Sequence, residues 1–185
     1  IGEGPTVSVR VVHETESPAP WCDLILAPPR PRVMKRLLPQ LATLGVGRIV
    51  LVGAEKVEKD FWGATLLKEE NTRPLLVDGL MQAGTSILPI LETRRNFRRF
   101  VKEELDSLFP TSNRIVAHPH LDSHLPTSGH SGTAPLLFAV GPEGGWTDGE
   151  VELLRAHGFR GVRLGPRILR TDTAVIALLA RFLPT

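Results

Sequence analysis

Short apolar runs alternate with amphipathic stretches along most of this chain. Residues 22–27 form an apolar run ended by Pro28-Pro29, the pattern of a buried strand. Residues 32–44 carry Val33, Leu37, Leu41 and Leu44 at helical spacing, and Gly45 stops them. Residues 48–52 repeat the buried-strand pattern. Residues 61–83 read as mostly helical, with Pro74 expected to break the helix or start a second one. Residues 87–91 are a strand candidate that Pro89 confines to a sheet edge. An amphipathic helix is expected over 96–108, strands over 114–117 and 136–140, a helix over 148–157 and a strand over 162–164. The last helix, 171–183, is almost wholly apolar from Thr173 onward, so it should be covered on more than one side. Strands alternating with helices predict an α/β fold, a mostly parallel sheet with helices on both faces.

Two segments fall outside that alternation. Val7, Val9 and Val11 alternate with polar residues over 6–12, and the acidic, proline-containing stretch 14–20 reads as a linker. Residues 1–20 are therefore set apart from a main domain over 21–185. Residues 118–135 are rich in Pro, Ser and Gly and hold His118, His120, His124 and His130. Their spacing is not that of a metal site, so a solvated loop and no metal are expected.

Composition narrows the classes only a little. Hydrophobic residues are 42% and charged residues 23% of 185, enough for one full α/β domain with a sizeable core. A net charge of +2 with a pI near 9.0 neither demands nor excludes a nucleic-acid partner. Cys22 is the only cysteine, which excludes an internal disulfide and a Cys-rich zinc site and fits a reducing, cytoplasmic compartment. No apolar stretch is long enough to span a bilayer, so no membrane partner is expected. Residues 1–5 lack the basic start and apolar core of a signal peptide.

The candidate chemistry lies in two strand-to-helix connections. The first reads Val140-Gly141-Pro142-Glu143-Gly144-Gly145-Trp146-Thr147, with Thr147 and Glu150 at the spacing of a capping box. Its glycines let backbone pass close to a ligand, at the strand end where open α/β sheets bind ligands. A plain tight turn is the competing reading. No Lys-Ser or Lys-Thr follows the glycines and no Gly-x-Gly-x-x-Gly is present, which removes the P-loop and Rossmann classes. The second reads Leu164-Gly165-Pro166-Arg167-Ile168-Leu169-Arg170-Thr171-Asp172-Thr173-Ala174, with Thr171 or Asp172 as a helix cap.

Together these segments resemble the Gly-Pro-Glu-Gly-Gly loop and the Leu-Gly-x-Arg-Ile-Leu-Arg segment of the RsmE-like methyltransferases of the SPOUT class. Those enzymes methylate N3 of a uridine in 16S ribosomal RNA. The helix end Leu41-Ala42-Thr43-Leu44-Gly45-Val46 and the stretch Gln82-Ala83-Gly84 with Leu88-Pro89 are similar to further parts of the pattern. The chain departs from it at Met81, where an acidic residue is usual, at Thr85-Ser86 in place of a basic residue, and at Asp172 in place of Glu. Residues 1–20 then stand as a remnant of the family's N-terminal barrel-like domain.

The resemblance implies a C-terminal deep trefoil knot and S-adenosyl-L-methionine as cofactor. It implies a cofactor site on Ala117 and His118, on Val140, Gly141, Pro142, Glu143, Gly144 and Gly145, and on Leu164, Gly165, Ile168 and Leu169. It implies ribosomal RNA or the small ribosomal subunit as partner. A homodimer is expected, built on an apolar face of the last helix. For catalysis, Arg170 is the candidate to stabilise negative charge on the base, and Glu143 the candidate to accept a proton or orient the cofactor. Arg167 is a candidate for RNA phosphate, against pairing with acidic residues across a dimer interface, and the run Arg94, Arg95 and Arg98 is another, against the alternative of a solvated face. An RNA binder of the same fold without methyl transfer is the second class, and cofactor binding separates the two.

Overall fold

The computed structural model describes residues 8, 10, 16–63, 65–110, 113–120 and 135–184. Its elements are β1 (Cys22–Leu26), α1 (Pro31–Thr43), β2 (Val46–Val52), α2 (Glu69–Ala83), β3 (Ile90–Arg94), α3 (Phe97–Glu103), α4 (Leu105–Leu108), β4 (Asn113–Ala117), β5 (Leu136–Val140), α5 (Asp148–Ala156), β6 (Arg160–Val162) and α6 (Thr171–Phe182). Two short 3-10 turns, Lys59–Gly63 and Thr65–Leu67, precede α2. The six strands form one sheet in the order β3-β2-β1-β5-β4-β6, and every neighbouring pair is parallel. The expected α/β class is borne out. Apart from residues 8 and 10, the strand expected over 6–12 lies outside the described residues, as do His124 and His130.

Because strand side chains alternate, the apolar runs feed two cores. Leu24, Leu26, Ile49, Leu51, Ile115 and Phe138 face one side, where Leu37, Leu38 and Leu41 of α1 and Leu178, Leu179 and Phe182 of α6 cover them. Ile25, Val50, Val116, Leu137 and Ala139 face the other, under Phe97, Phe100 and Val101 of α3 and Val151 and Leu154 of α5. All five residues of β5 are buried, as a central strand of a doubly covered sheet requires. Each fully buried Leu or Phe contributes about 1.5–3 kcal/mol of transfer free energy. β3, the edge strand anticipated from Pro89, starts one residue after that proline.

Two expectations needed correction. Pro74 does not break its helix. α2 runs through it, held on α1 by Leu76, Leu80 and by Gly79, where a Cβ would lie 2.1 Å from the Pro39 carbonyl oxygen. The helix expected over 96–108 divides at Glu104, whose φ of −120° leaves the helical region. Most of the apolar surface of α6 is spent inside this chain: Val175, Leu178, Leu179 and Phe182 are all buried in its own core. What faces outward nearby is Leu183, 38% exposed, and Ile168, 77% exposed.

Candidate functional site

Parallel strands deliver their exit loops to one end of the sheet, and β4, β5 and β6 deliver three that meet. Between them lies a cleft of about 290 Å³. Every residue expected at the cofactor site lines it: Ala117 and His118 after β4, Val140 to Gly145 after β5, and Leu164, Gly165, Ile168 and Leu169 after β6. Arg167 lines it as well. Sequence reasoning missed Lys56, Asp148 and Arg163, which also face the cleft. Lys56 comes from the loop after β2, and its Nζ bonds a residue 88 positions away, so no local motif announces it.

The wall from β5 is held at both ends. Gly145, at φ +70°, closes a turn by donating its N–H to the Pro142 carbonyl at 2.8 Å. The buried Thr171 hydroxyl donates to the Gly141 carbonyl at 3.3 Å, tying the wall to the start of α6. Thr171 is thus engaged with the loop, and the residue at the helix N-cap is Arg170, which makes no side-chain cap. At the other end Trp146 is 2% exposed and packs on Phe97 at 5.1 Å between ring centroids. Thr147 is the N-cap residue of α5, and Glu150 reaches back to accept its N–H at 2.8 Å, the reciprocal half of the capping box that the spacing suggested.

The wall from β4 carries His118. Its N–H donates to the Val162 carbonyl at 3.0 Å, extending the β4–β6 pairing into the loop. Burial holds the imidazole below its ordinary pKa, opposed by a hydrogen bond with the Trp146 backbone. The ring is therefore neutral at pH 7, and its Nδ1 accepts the His120 N–H at 3.3 Å.

The charged candidates sit elsewhere than their sequence neighbours suggest. Arg170 does not line the cleft. Its Nε lies 3.3 Å from Asp172, which also takes the Arg36 guanidinium at 3.3 Å, so the three charges form a cluster on the rim. Glu143 is an exposed wall residue whose nearest donor is the Arg30 N–H at 3.5 Å. Arg94 ends β3, with its Nε 2.6 Å from Glu104 and its Nη2 3.7 Å from Glu92. Glu92 is shared with Arg48, whose Nη1 lies 2.9 Å from it. Arg95 donates to the Trp62 carbonyl at 3.3 Å, and Arg98 lies beside Gly149 in the first turns of α3 and α5. Neither lines the cleft. Among the described residues no group of three or more His, Cys, Asp or Glu gathers as a metal site would, and no helix is long and apolar enough to cross a membrane.

Fold and cleft define a class: an all-parallel α/β domain with a glycine-walled ligand cleft at the carboxyl ends of its strands. The chain belongs to the RNA methyltransferase domain family, whose model matches residues 15–183. It is 33% identical over 159 residues to ribosomal RNA small subunit methyltransferase E of Treponema pallidum, covering 85% of this chain and 59% of that protein. Against ribosomal RNA small subunit methyltransferase E 1 of Borreliella burgdorferi the identity is 28% over 148 residues, 80% of this chain and 60% of the other. The chain thus spans about 60% of the length of these curated relatives. Among solved structures it is similar to a ribosomal RNA small subunit methyltransferase E from Neisseria gonorrhoeae bound to S-adenosyl methionine. The TM-score is 0.73 at 26% identity, covering 92% of this chain and 68% of that one. The fold also matches a SpoU methyltransferase from Streptomyces viridochromogenes, at a TM-score of 0.54 and 14% identity. The resemblance read from the two motifs is borne out.

Proposed function

We propose that this chain is an S-adenosyl-L-methionine-dependent RNA methyltransferase that acts on N3 of a uridine in small-subunit ribosomal RNA. The observation that carries the reading is the meeting of three separate loops in one glycine-walled cleft. The cleft fits the cofactor chemically. Apolar Ala117, Val140, Leu164, Ile168 and Leu169 suit an adenine ring, and backbone N–H and C=O groups along 140–145 and 164–169 suit its polar edge. A side chain at Gly141 would crowd Trp146, so backbone alone forms that wall. Relatives of this chain bind S-adenosyl methionine or are methyltransferases of small-subunit RNA.

When bound, the cofactor supplies an electrophilic methyl group on a sulfonium. The chain's own contribution is to orient the base and to manage one proton and one developing negative charge. Uridine N3 must lose its proton, which at neutral pH needs help. Arg170, on the rim next to the cleft-lining Thr171, is assigned to the anionic uracil oxygens. Glu143 is assigned to the proton or to cofactor orientation. Arg167, in the cleft mouth, with Arg94, Arg95 and Arg98, is assigned to RNA phosphates. The same reading includes a trefoil-knotted path through the three loops, a homodimer using the outward face of the last helix with Leu183, ribosomal RNA or the small subunit as partner, and a place in the cytoplasm.

Calorimetric titration with S-adenosylmethionine and mass spectrometry of 16S ribosomal RNA from a strain lacking the protein test it. Saturable cofactor binding and one missing methyluridine are expected. No binding leaves the RNA binder without methyl transfer, and binding with an unchanged 16S RNA moves the substrate to another RNA.

A further inference from the structure

We infer that Lys56 is a positioning residue that fixes the shape of the glycine wall and, through it, affinity for the cofactor. The inference rests on the reading of the cleft as a methyl-donor site. Lys56 belongs to neither of the two glycine segments. Its Nζ donates to the Gly144 carbonyl at 2.9 Å. Its stem lies along the same residue: a Cβ built on Gly144 would meet Lys56 Cδ at 3.0 Å, Cβ at 3.3 Å and Cγ at 3.7 Å. One side chain thus packs its methylenes along Gly144 and ties the Gly144 carbonyl with a charge.

The root of Lys56 is anchored independently. Glu150 is 2% exposed, and its two carboxylate oxygens accept the Glu55 N–H at 2.8 Å and the Thr147 N–H at 2.8 Å. A buried carboxylate with two backbone donors is a strong, charge-assisted anchor. It joins the loop after β2 to the far end of the glycine wall. Lys56 then bridges the tips of the two loops that Glu150 joins at the base, and the three hydrogen bonds close a ring around residues 144–147. Within that ring, Gly144 and Gly145 have little side-chain mass of their own to hold them, and glycine backbone is the most mobile when unsupported. Lys56 itself is exposed, so its bond adds little to global stability. Its effect is confined to the loop it touches.

Three variants test this: Lys56→Met, which keeps the stem and removes the ammonium, Lys56→Ala, which removes both, and Lys56→Arg, which restores a cation. Two readouts apply: amide hydrogen exchange over 143–146 in the ligand-free protein, and calorimetric affinity for S-adenosylmethionine. Lys56→Met is expected to speed that exchange and to weaken binding about fivefold, the worth of one net hydrogen bond. Lys56→Ala should lose more, Lys56→Arg should recover most of it, and Tm should stay within error throughout. Unchanged exchange and affinity in Lys56→Met would overturn the inference, and so would a loss that tracks a fall in Tm. If the unsubstituted protein binds no S-adenosylmethionine, the reading of the cleft fails, while the exchange comparison still decides whether Lys56 holds the wall.

Discussion

Replacing Gly141 by alanine probes the glycine wall at its tightest point. A Cβ there would lie 3.0 Å from the Trp146 nitrogen and 3.2 Å from Trp146 Cδ1 and Cγ. Carbon contacts settle near 3.5–4.0 Å, so something must move. Trp146 has no room to retreat, being 2% exposed with the Phe97 ring behind it at 5.1 Å. The Gly141 backbone is the part that yields, and it yields toward the cleft. Overpacking of this kind costs about 1–3 kcal/mol. If the loop carries all of it, affinity for S-adenosylmethionine falls by about five- to a hundredfold. Gly144→Ala meets only the flexible Lys56 stem at 3.0 Å and should cost less than Gly141→Ala. Gly63→Ala meets nothing within 4 Å and serves as the control. Calorimetric titration of the three variants, with Tm measured alongside, gives the ranking. Native affinity in Gly141→Ala, or a larger loss in Gly144→Ala, refutes the reasoning.

Three further outcomes are expected. Arg170→Ala should lower the rate of methyl transfer by roughly a hundredfold, with much smaller changes in cofactor and RNA affinity, since one preorganised donor is worth about 3 kcal/mol. A loss confined to RNA affinity, read by filter binding at several salt concentrations, would make Arg170 an RNA anchor. The hydrogen bond from Arg114 holds the Asp106 carboxyl below the usual carboxylate range, with His157 adding to it. A depressed folded pKa gives stability that is present above the unfolded value near 4 and is lost as pH falls through the folded value. Asp106→Asn should therefore lower Tm slightly at pH 7 and flatten its acid dependence, and an unaltered acid slope argues against the pair. Light scattering should give a homodimer at micromolar concentration, and a monomer there removes the dimer from the proposed function.

The strands buried on both faces were the most legible elements. β1, β4 and β5 fall within a residue of their predicted spans because short apolar runs, residues 24–27, 115–117 and 136–140, mark them. β6 lies two residues earlier than predicted, since it has three residues and its middle one, Gly161, has no side chain to show alternation. The split at Glu104 was illegible because the amphipathic pattern runs through it without a break. The cleft was legible wherever its wall is a contiguous glycine segment. Lys56 was not, being brought in by the fold from another loop. The direction of Arg170 was not legible either. It depends on Asp172, whose charge is shared with Arg36 of α1, and no local pattern brings those two helices together.

The β6 edge has a consequence for how the cleft opens. The third wall leaves the sheet from its shortest strand, which pairs with β4 alone through Ile115–Arg160, Val116–Gly161 and Ala117–Val162. Few ladder bonds at an edge mean a low free energy of local opening. When β6 frays, the His118 to Val162 bond goes with it, and the cleft loses a side without the domain unfolding. A ligand that touches all three walls adds its binding free energy to that opening step. Amide exchange over 160–164 then acts as a meter of occupancy, slowing in proportion to ligand concentration while the core strands exchange as before.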